Sequence, residues 1–502
     1  MRLSPAFAAT LAAHRFGLGE PDLAVVGNDA RGWLLAQIGP ADAQRGNDLP
    51  SLAQALAVQT EARRNRTPAS NAPLRALVQA DIRARLATAA STTRPFAERL
   101  ALFWANHFTV SLGKGSTTGL VGAFEREAIR PHIAGRFADL LAAAVSHPAM
   151  LRYLDNALSA GPQSRVVQRL KRRGEAGATA PGGAAGDMAA TAPPRITGLN
   201  ENLAREVLEL HTLGVAGGGG RYGPWGGYSQ ADVTALAAVL TGWRGPRPGA
   251  AADGNANANA NANASASASA NANADANASA NADADIGFDP AWHQPGPKTV
   301  LGQSYAEGPQ ALRAVLDDLA RQPSTARHIA TKLARHLVAD EPPPALVARL
   351  AQRFTDTGGD LRAVYTTLVD SPEAWDEAPA KLKTPEEFVL SSARLLRLGD
   401  RLVARAADAG LSTLGQRPMY ATSPAGWPDT ASDWLGPEAV WQRVEWASAV
   451  ADRLGGQVDA RALAAASLGP RLSDASRQQI DRAADGAQAL TLLLMAPEFQ
   501  RR

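Results

Sequence analysis

The chain has 502 residues, enough by length alone for roughly three domains of ~150 residues each. Its 45% apolar and 20% charged composition is that of a folded globular protein and excludes a wholly disordered chain. Lys plus Arg number 51 against 48 acids, a net charge of +3 with both signs interspersed, which argues against a nucleic-acid-binding face. Cysteine is absent, so disulfides, thiolate nucleophiles and thiolate-held metal centres are excluded together. No apolar run approaches the ~18 residues that span a bilayer.

From the start, Met1 to Phe7 offers no uninterrupted apolar core before His14, Arg15 and Phe16, so no signal peptide is read and the cytoplasm is the expected compartment. Apolar spacing predicts helices over 94–108, 121–132 and 136–145, making residues 1–158 an N-terminal helical part. Residues 159–194 are rich in Gly, Ala and Pro around Arg169, Lys171, Arg172 and Arg173, and read as a low-complexity loop. Central motif helices fill 195–248, over 200–213 and 231–240. Ser229 and Asp232 form a capping box before the second of these, and Gly242 ends it. Residues 249–285 alternate Ala with Asn, Ser or Asp; with no large apolar group to bury, this tract is expected to be disordered. Helices follow over 324–337, 344–354, 361–369, 385–398, 440–454 and 480–494, a C-terminal helical part (286–502) expected to pack with the N-terminal part as one domain. Thr384-Pro385-Glu386-Glu387 carries a capping hydroxyl, Pro in the first turn and two acids. The fold class expected is all-α, a large multi-helix domain with two long disordered insertions.

None of the eight histidines stands three or four residues from another, so the His-Glu-x-x-His metalloprotease motif is absent. The Gly-x-Ser-x-Gly elbow and the phosphate-binding loop are missing too, and the glycines at 217–220 read as a connector. Residues 200–214 are the densest polar pattern. Leu203, Val207 and Leu210 form an apolar stripe, Glu201, Arg205 and Glu209 a four-residue ladder, and Asn202, Glu206 and Glu209 a third line. One reading is a surface helix with His211 in its last turn and Gly214 as C-cap; the other is a helix carrying a base or metal ligand, Glu206 or Glu209, into a cleft. Asn106 and His107 sit among Phe103, Trp104, Phe108 and Val110, and so need buried partners. Glu127 and Arg130 are spaced as an ion pair.

Together these motifs resemble the bacterial family catalogued as domain of unknown function 1800. The resemblance runs through His14-Arg15-Phe16-Gly17, Phe103-Trp104 with Asn106-His107-Phe108, Phe124 with Glu127 and Arg130, and Tyr153-Leu154-Asp155-Asn156. It continues through Asn200 to Val215, Asp232-Val233, Thr241-Gly242-Trp243, Phe288, His293, Lys298 and Gly426-Trp427. Ala235 and Ala238 depart from it, standing where the family pattern has an acid and an Arg. The resemblance implies a mostly helical fold and no specific activity. It also implies a partner encoded nearby, from the family of domain of unknown function 1501, which looks like a phosphatase or sulfatase; some relatives are exported.

Two functions are open at this point. In the first, a hydrolase or transferase acts on a glycan, phosphate or sulfate ester, with Glu206, Glu209, His211, His107 and Glu127 as catalytic candidates. Arg130, Asn202 and Arg205 hold its substrate, joined by Asn106, His293 and Lys298 from the matched motifs. A divalent metal is compatible with that Glu and His set, although no strong motif identifies one. In the second, the chain is a non-enzymatic binding or scaffold partner of the neighbouring protein, its polar motifs fixing helix packing.

Overall fold

The computed structural model describes residues 3–178, 198–215, 227–245, 287–377, 381–404 and 406–502. Among them the regular structure is helical except for one antiparallel hairpin, Lys298–Val300 with Gln303–Tyr305. Its turn places Leu301 and Gly302 at positive φ, and the Leu301 amide donates to Asp232 Oδ1 at 2.7 Å, which ties the hairpin to the start of the Gln230–Leu240 helix. No described helix is long and apolar enough to cross a membrane.

Three helices bring polar residues together in the interior. Pro95–His107 starts with Pro in its first turn and buries Phe96, Leu100, Phe103 and Trp104 at helical spacing. Pro323–Leu337 buries Ala326, Ile329, Ala330, Leu333 and Leu337 on one side. This leaves His328, Lys332 and His336, each four residues from the next, as a separate polar stripe. Pro385–Leu395 starts with the expected capping box: Thr384 Oγ1 accepts from the Glu387 amide at 3.3 Å, and Glu387 Oε2 accepts from the Thr384 amide at 3.0 Å.

Buried apolar side chains form a contiguous cluster from Ala9 to Phe499. The two ends of the chain meet within it. His14 Nε2 bonds the Ser467 carbonyl at 2.9 Å, Arg394 Nε donates to the Gly19 carbonyl at 2.7 Å, and Leu382 bridges Arg501. Around the Ala/Asn tract, whose expected disorder lies outside the described residues, Trp243 and Phe288 pair through an isolated bridge, and Asp289 N donates to the Gly242 carbonyl at 2.8 Å.

Two expectations are corrected. Residues 165–178 lie in the segment read as loop but form a helix, Arg165–Ala178, whose Val166 amide donates to the Ala291 carbonyl at 3.1 Å. Val166, Val167 and Leu170 recur there at helical spacing, and Arg169, Lys171, Arg172 and Arg173 around them are good helix formers. The rest of that segment, from 179 to 194, and the glycines at 217–220 lie outside the described residues. The single helix over 480–494 is two, Asp474–Asp481 and Gly486–Met495, because Asp485 caps a new start by accepting from the Gln488 amide at 2.8 Å.

Among the described residues three helices contain a wider π-helical turn, at Ala12–Phe16, Glu125–Ile129 and Val207–Thr212. Each coincides with one of the polar motifs, a frequent mark of functional or packing constraint. In the third, Thr212 Oγ1 donates to the Val207 carbonyl at 2.6 Å.

Candidate functional site

A cavity of about 310 Å³ opens between the helices Pro95–His107, Pro323–Leu337 and Pro385–Leu395 and the 425–433 loop. Asn106 and His107 come from the first helix, Lys332, Arg335 and His336 from the second, Glu386 and Glu387 from the third, and Trp427 and Asp429 from the loop. The loop is anchored by Asn106, whose Nδ2 donates to the Trp427 carbonyl at 2.9 Å while its Oδ1 accepts from the Trp427 amide at 2.7 Å.

His336 Nδ1 lies 2.8 Å from Asp429 Oδ2. Burial opposes charge on Asp429, but His336, Lys381 and Arg502 outweigh it and hold its carboxyl below the ordinary value. A carboxylate only accepts, so the proton sits on His336 Nδ1 and the unpartnered Nε2 presents a lone pair. Burial keeps His336 neutral despite the carboxylate beside it.

Two of the four cations lining the cavity, Arg85 and Arg99, are spent on acids. Arg85 grips Glu386 through Nε at 2.9 Å and Nη2 at 3.2 Å, and bonds Glu125 through Nη1. Arg99 bonds Glu387 and donates Nε to the Gly17 carbonyl at 2.8 Å, leaving its buried Nη2 without a partner. Glu387 also meets Arg502 at 2.8 Å. Burial favours its neutral form, but the two guanidinium groups prevail and hold its carboxyl well below the carboxylate range. Lys332 forms no hydrogen bond or ion pair among the described residues. Burial lowers its pKa to about 8, with Asp429 opposing the shift and Arg335 adding to it.

Behind the cavity wall three imidazoles meet: His107 lies 6.1 Å from His211 and 6.2 Å from His328, ring centre to ring centre. His107 Nε2 is 3.2 Å from the His211 carbonyl and His328 Nε2 is 3.0 Å from that of Leu210, whereas neither ring nitrogen of His211 has a partner. Burial first, and the charge of Lys332 second, lower all three, His211 to about 3 and His328 to about 4. Far from being a dipole-stabilised surface group, His211 is fully buried beside Phe108, because the wide turn at Val207–Thr212 rotates it inward.

The other sequence candidates do not line this cavity. Glu206 and Glu209 are half-buried together; burial and then Glu209 raise the Glu206 carboxyl, and Glu209 Oε2 lies 3.5 Å from the Tyr228 hydroxyl. Asn202 is exposed, and Arg205 joins Glu201 at 3.4 Å and Gln230 at 3.1 Å, one rung of the expected ladder. Glu127 and Arg130 do not pair with each other. Glu127 accepts from the Leu52 amide at 2.8 Å and faces His147, while Arg130 makes a buried two-pronged bond to Glu98 at 2.9 and 2.6 Å. His293 and Lys298 form a unit of their own at 2.9 Å, closed by the Thr241 carbonyl on His293 Nδ1 at 2.7 Å. Among the described residues no group of three or more His, Asp or Glu side chains is arranged to hold a metal ion.

Residues 11–501 match the family model described as "Protein of unknown function (DUF1800)". The chain belongs to this family. No curated protein and no solved structure matches it. Much of what carries the family resemblance holds backbone in place: Gly17 receives Arg99, Asn156 Nδ2 donates to the carbonyls of Leu240 and Trp243 at 3.0 and 2.8 Å, and Asn106 anchors Trp427. Lys332, His336 and Asp429 were missed in the sequence. For Lys332 and His336 the available signal was their spacing with His328 on a helix whose apolar stripe lies elsewhere; for Asp429 there was none.

Proposed function

We propose that the cavity binds a small anionic substrate and supports general-base hydrolysis or group transfer on it, the ester of a phosphate or sulfate being the class in view. The observation that carries this is the His336–Asp429 pair, with the proton on Nδ1 and a bare Nε2 on a residue lining the cavity. Such a base takes a proton from water or a hydroxyl nucleophile, and the carboxylate stabilises the imidazolium that forms. Lys332 and the free Nη2 of Arg99 supply positive charge for the anion. Residues 1–158 and 286–502 then act as one domain, since the Pro95–His107 and Pro323–Leu337 helices both line the cavity.

The test is a panel of aryl phosphates, sulfates and glycosides with the native chain, His336→Gln and Asp429→Asn. Turnover that falls on the order of 10²–10⁴-fold in His336→Gln supports the reading. No turnover of any ester, together with no rise in Tm on adding phosphate or sulfate, defeats it.

A second reading, docking to a partner of the family of domain of unknown function 1501, draws on Leu435, Val440 and Trp441. They are 44%, 38% and 58% exposed and follow directly on Asp433 at the cavity. Co-purification of the two chains, lost in Trp441→Ser, would support it; two chains that never co-elute would end it.

A further inference from the structure

The sequence contains only six lysines, at 114, 171, 298, 332, 381 and 383. Four are committed or sealed. Lys114 bonds the Tyr153 carbonyl and Asp155, each at 2.6 Å; Lys298 is held by His293; Lys381 is held by Asp340; and Lys383 is fully buried with its ammonium 4.0 Å from the Phe499 ring centre. Lys171 is exposed on the Arg165–Ala178 helix, an ordinary surface amine. Lys332 alone joins two properties: no partner among the described residues, and a place in the wall of a cavity.

Its surroundings suit an amine that reacts rather than one that only attracts. His328 and His336 stand one helical turn before and after it, on the same face. His107 lines the same cavity with an unpartnered Nδ1. None of the three carries a charge that would compete with Lys332 for an anion or fix its ammonium. Arg335 and Asp429 act on it directly, and the cavity is lined as well by Asp433 and by the ion pairs of Arg85 with Glu386 and of Arg99 with Glu387, Arg99 keeping an unpartnered Nη2. An amine desolvated beside other cations is the ordinary setting of a nucleophilic lysine.

We propose that Lys332 is a nucleophile that forms an imine with a carbonyl compound bearing an anionic group, a phosphorylated aldehyde or an oxo acid, the anion resting on Arg99 and Arg335. The neutral amine donates its lone pair to the carbonyl carbon, a C–N bond forms as the C=O π bond opens onto oxygen, and one of the two nitrogen protons passes to that oxygen to give the carbinolamine. The nitrogen then loses its remaining proton as the hydroxyl leaves with one, releasing water and forming C=N; His336 Nε2 is the nearby acceptor that relays it. No oxidant or reductant is involved. With burial setting its pKa near 8, roughly a tenth of the amine is neutral at pH 7, against less than about a thousandth for a surface lysine.

This goes beyond base chemistry at His336 but rests on the cavity taking an anion. Two probes separate the claims: pyridoxal phosphate, and pyridoxal, which lacks the phosphate. The full-length chain is treated with each, reduced with borohydride and mapped by mass spectrometry. The expected result is an adduct on Lys332 at least ~10-fold faster than on Lys171, dependent on the phosphate of the probe and slowed by inorganic phosphate. Lys332→Met should abolish that adduct and leave the slow one on Lys171. Equal labelling of Lys332 by both probes would overturn the anionic class. Labelling of Lys171 as fast as Lys332 by pyridoxal phosphate in the native chain, which needs no variant to fold, would overturn the nucleophile while leaving ester hydrolysis by His336 untouched.

Discussion

Asn106 and Trp427, 321 residues apart, exchange two hydrogen bonds, the side-chain amide of one meeting the backbone carbonyl and amide of the other. The neighbouring Gly426 has φ +84°, and a Cβ there would lie 2.4 Å from the Asn106 carbonyl oxygen. Asn106→Ala should therefore cost about 2–4 kcal/mol, two bonds plus two backbone groups left unpaired, read as a lower urea midpoint. Gly426→Ala should also destabilise, by at least about 1 kcal/mol, through both strain and collision. Unchanged midpoints would show that the loop is held by something else.

Arg130, a substrate-binding candidate in the sequence, is enclosed with Glu98 and also donates to the Asp42 carbonyl at 2.9 and 2.6 Å. Arg130→Met strands a buried carboxylate, and a loss of about 3–5 kcal/mol is expected in urea unfolding. Folded Arg130→Met should bind phosphate as the native chain does. If stability held while ligand binding vanished, Arg130 would belong to the site after all.

Stability should fall on mild acidification. His107, His211 and His328 are neutral when folded, with pKa values lowered by burial and by Lys332. Unfolded, they titrate near 6.5. Below that pH the unfolded chain binds more protons, so folding weakens as pH drops toward about 4 for His328 and about 3 for His211; above it they contribute no pH dependence. Between pH 7.5 and 5 the loss is at most about 2 kcal/mol per histidine. Urea midpoints at the two pH values measure this, and His211→Phe should flatten the difference; an identical slope in that variant would place the titration elsewhere.

Deleting 251–283 should leave Tm within a few degrees of the native value. The flanking segments are already clasped by the Trp243–Phe288 bridge and by the Arg244 amide on the Gly287 carbonyl at 3.3 Å, so the intervening length enters only through a logarithm. A large fall in Tm in calorimetry would mean that the deleted residues pack.

Helices with a strong apolar stripe, such as Pro323–Leu337, were legible, and so were the capping boxes at Ser229 and Thr384. Leu52–Asn65 and Pro68–Ser91 went unseen because Ala and polar residues blur their stripes, although Ser51 with Gln54 and Thr67 with Ser70 mark both starts. The site was legible only at Asn106 and His107, where polar residues interrupt an apolar run. Lys332, His336 and Asp429 are separated by up to about a hundred positions from each other, and their convergence is a tertiary fact that no local spacing expresses. Glu206 and Glu209 drew notice through local density, yet their environment is Tyr228 and each other.

The wide turn at Val207–Thr212 gives this stretch of chain a phase as well as a composition. Removing any single residue from it would let the backbone relax into an ordinary α-helix, with its hydrogen bonds intact. The wide turn holds one residue more than an α turn, so the same deletion would change which residue stands at each position around it. His211 would leave Phe108, and the Leu210 and His211 carbonyls would leave the two imidazoles that reach them. In this segment a change of length by one residue is therefore a graver lesion than most changes of identity.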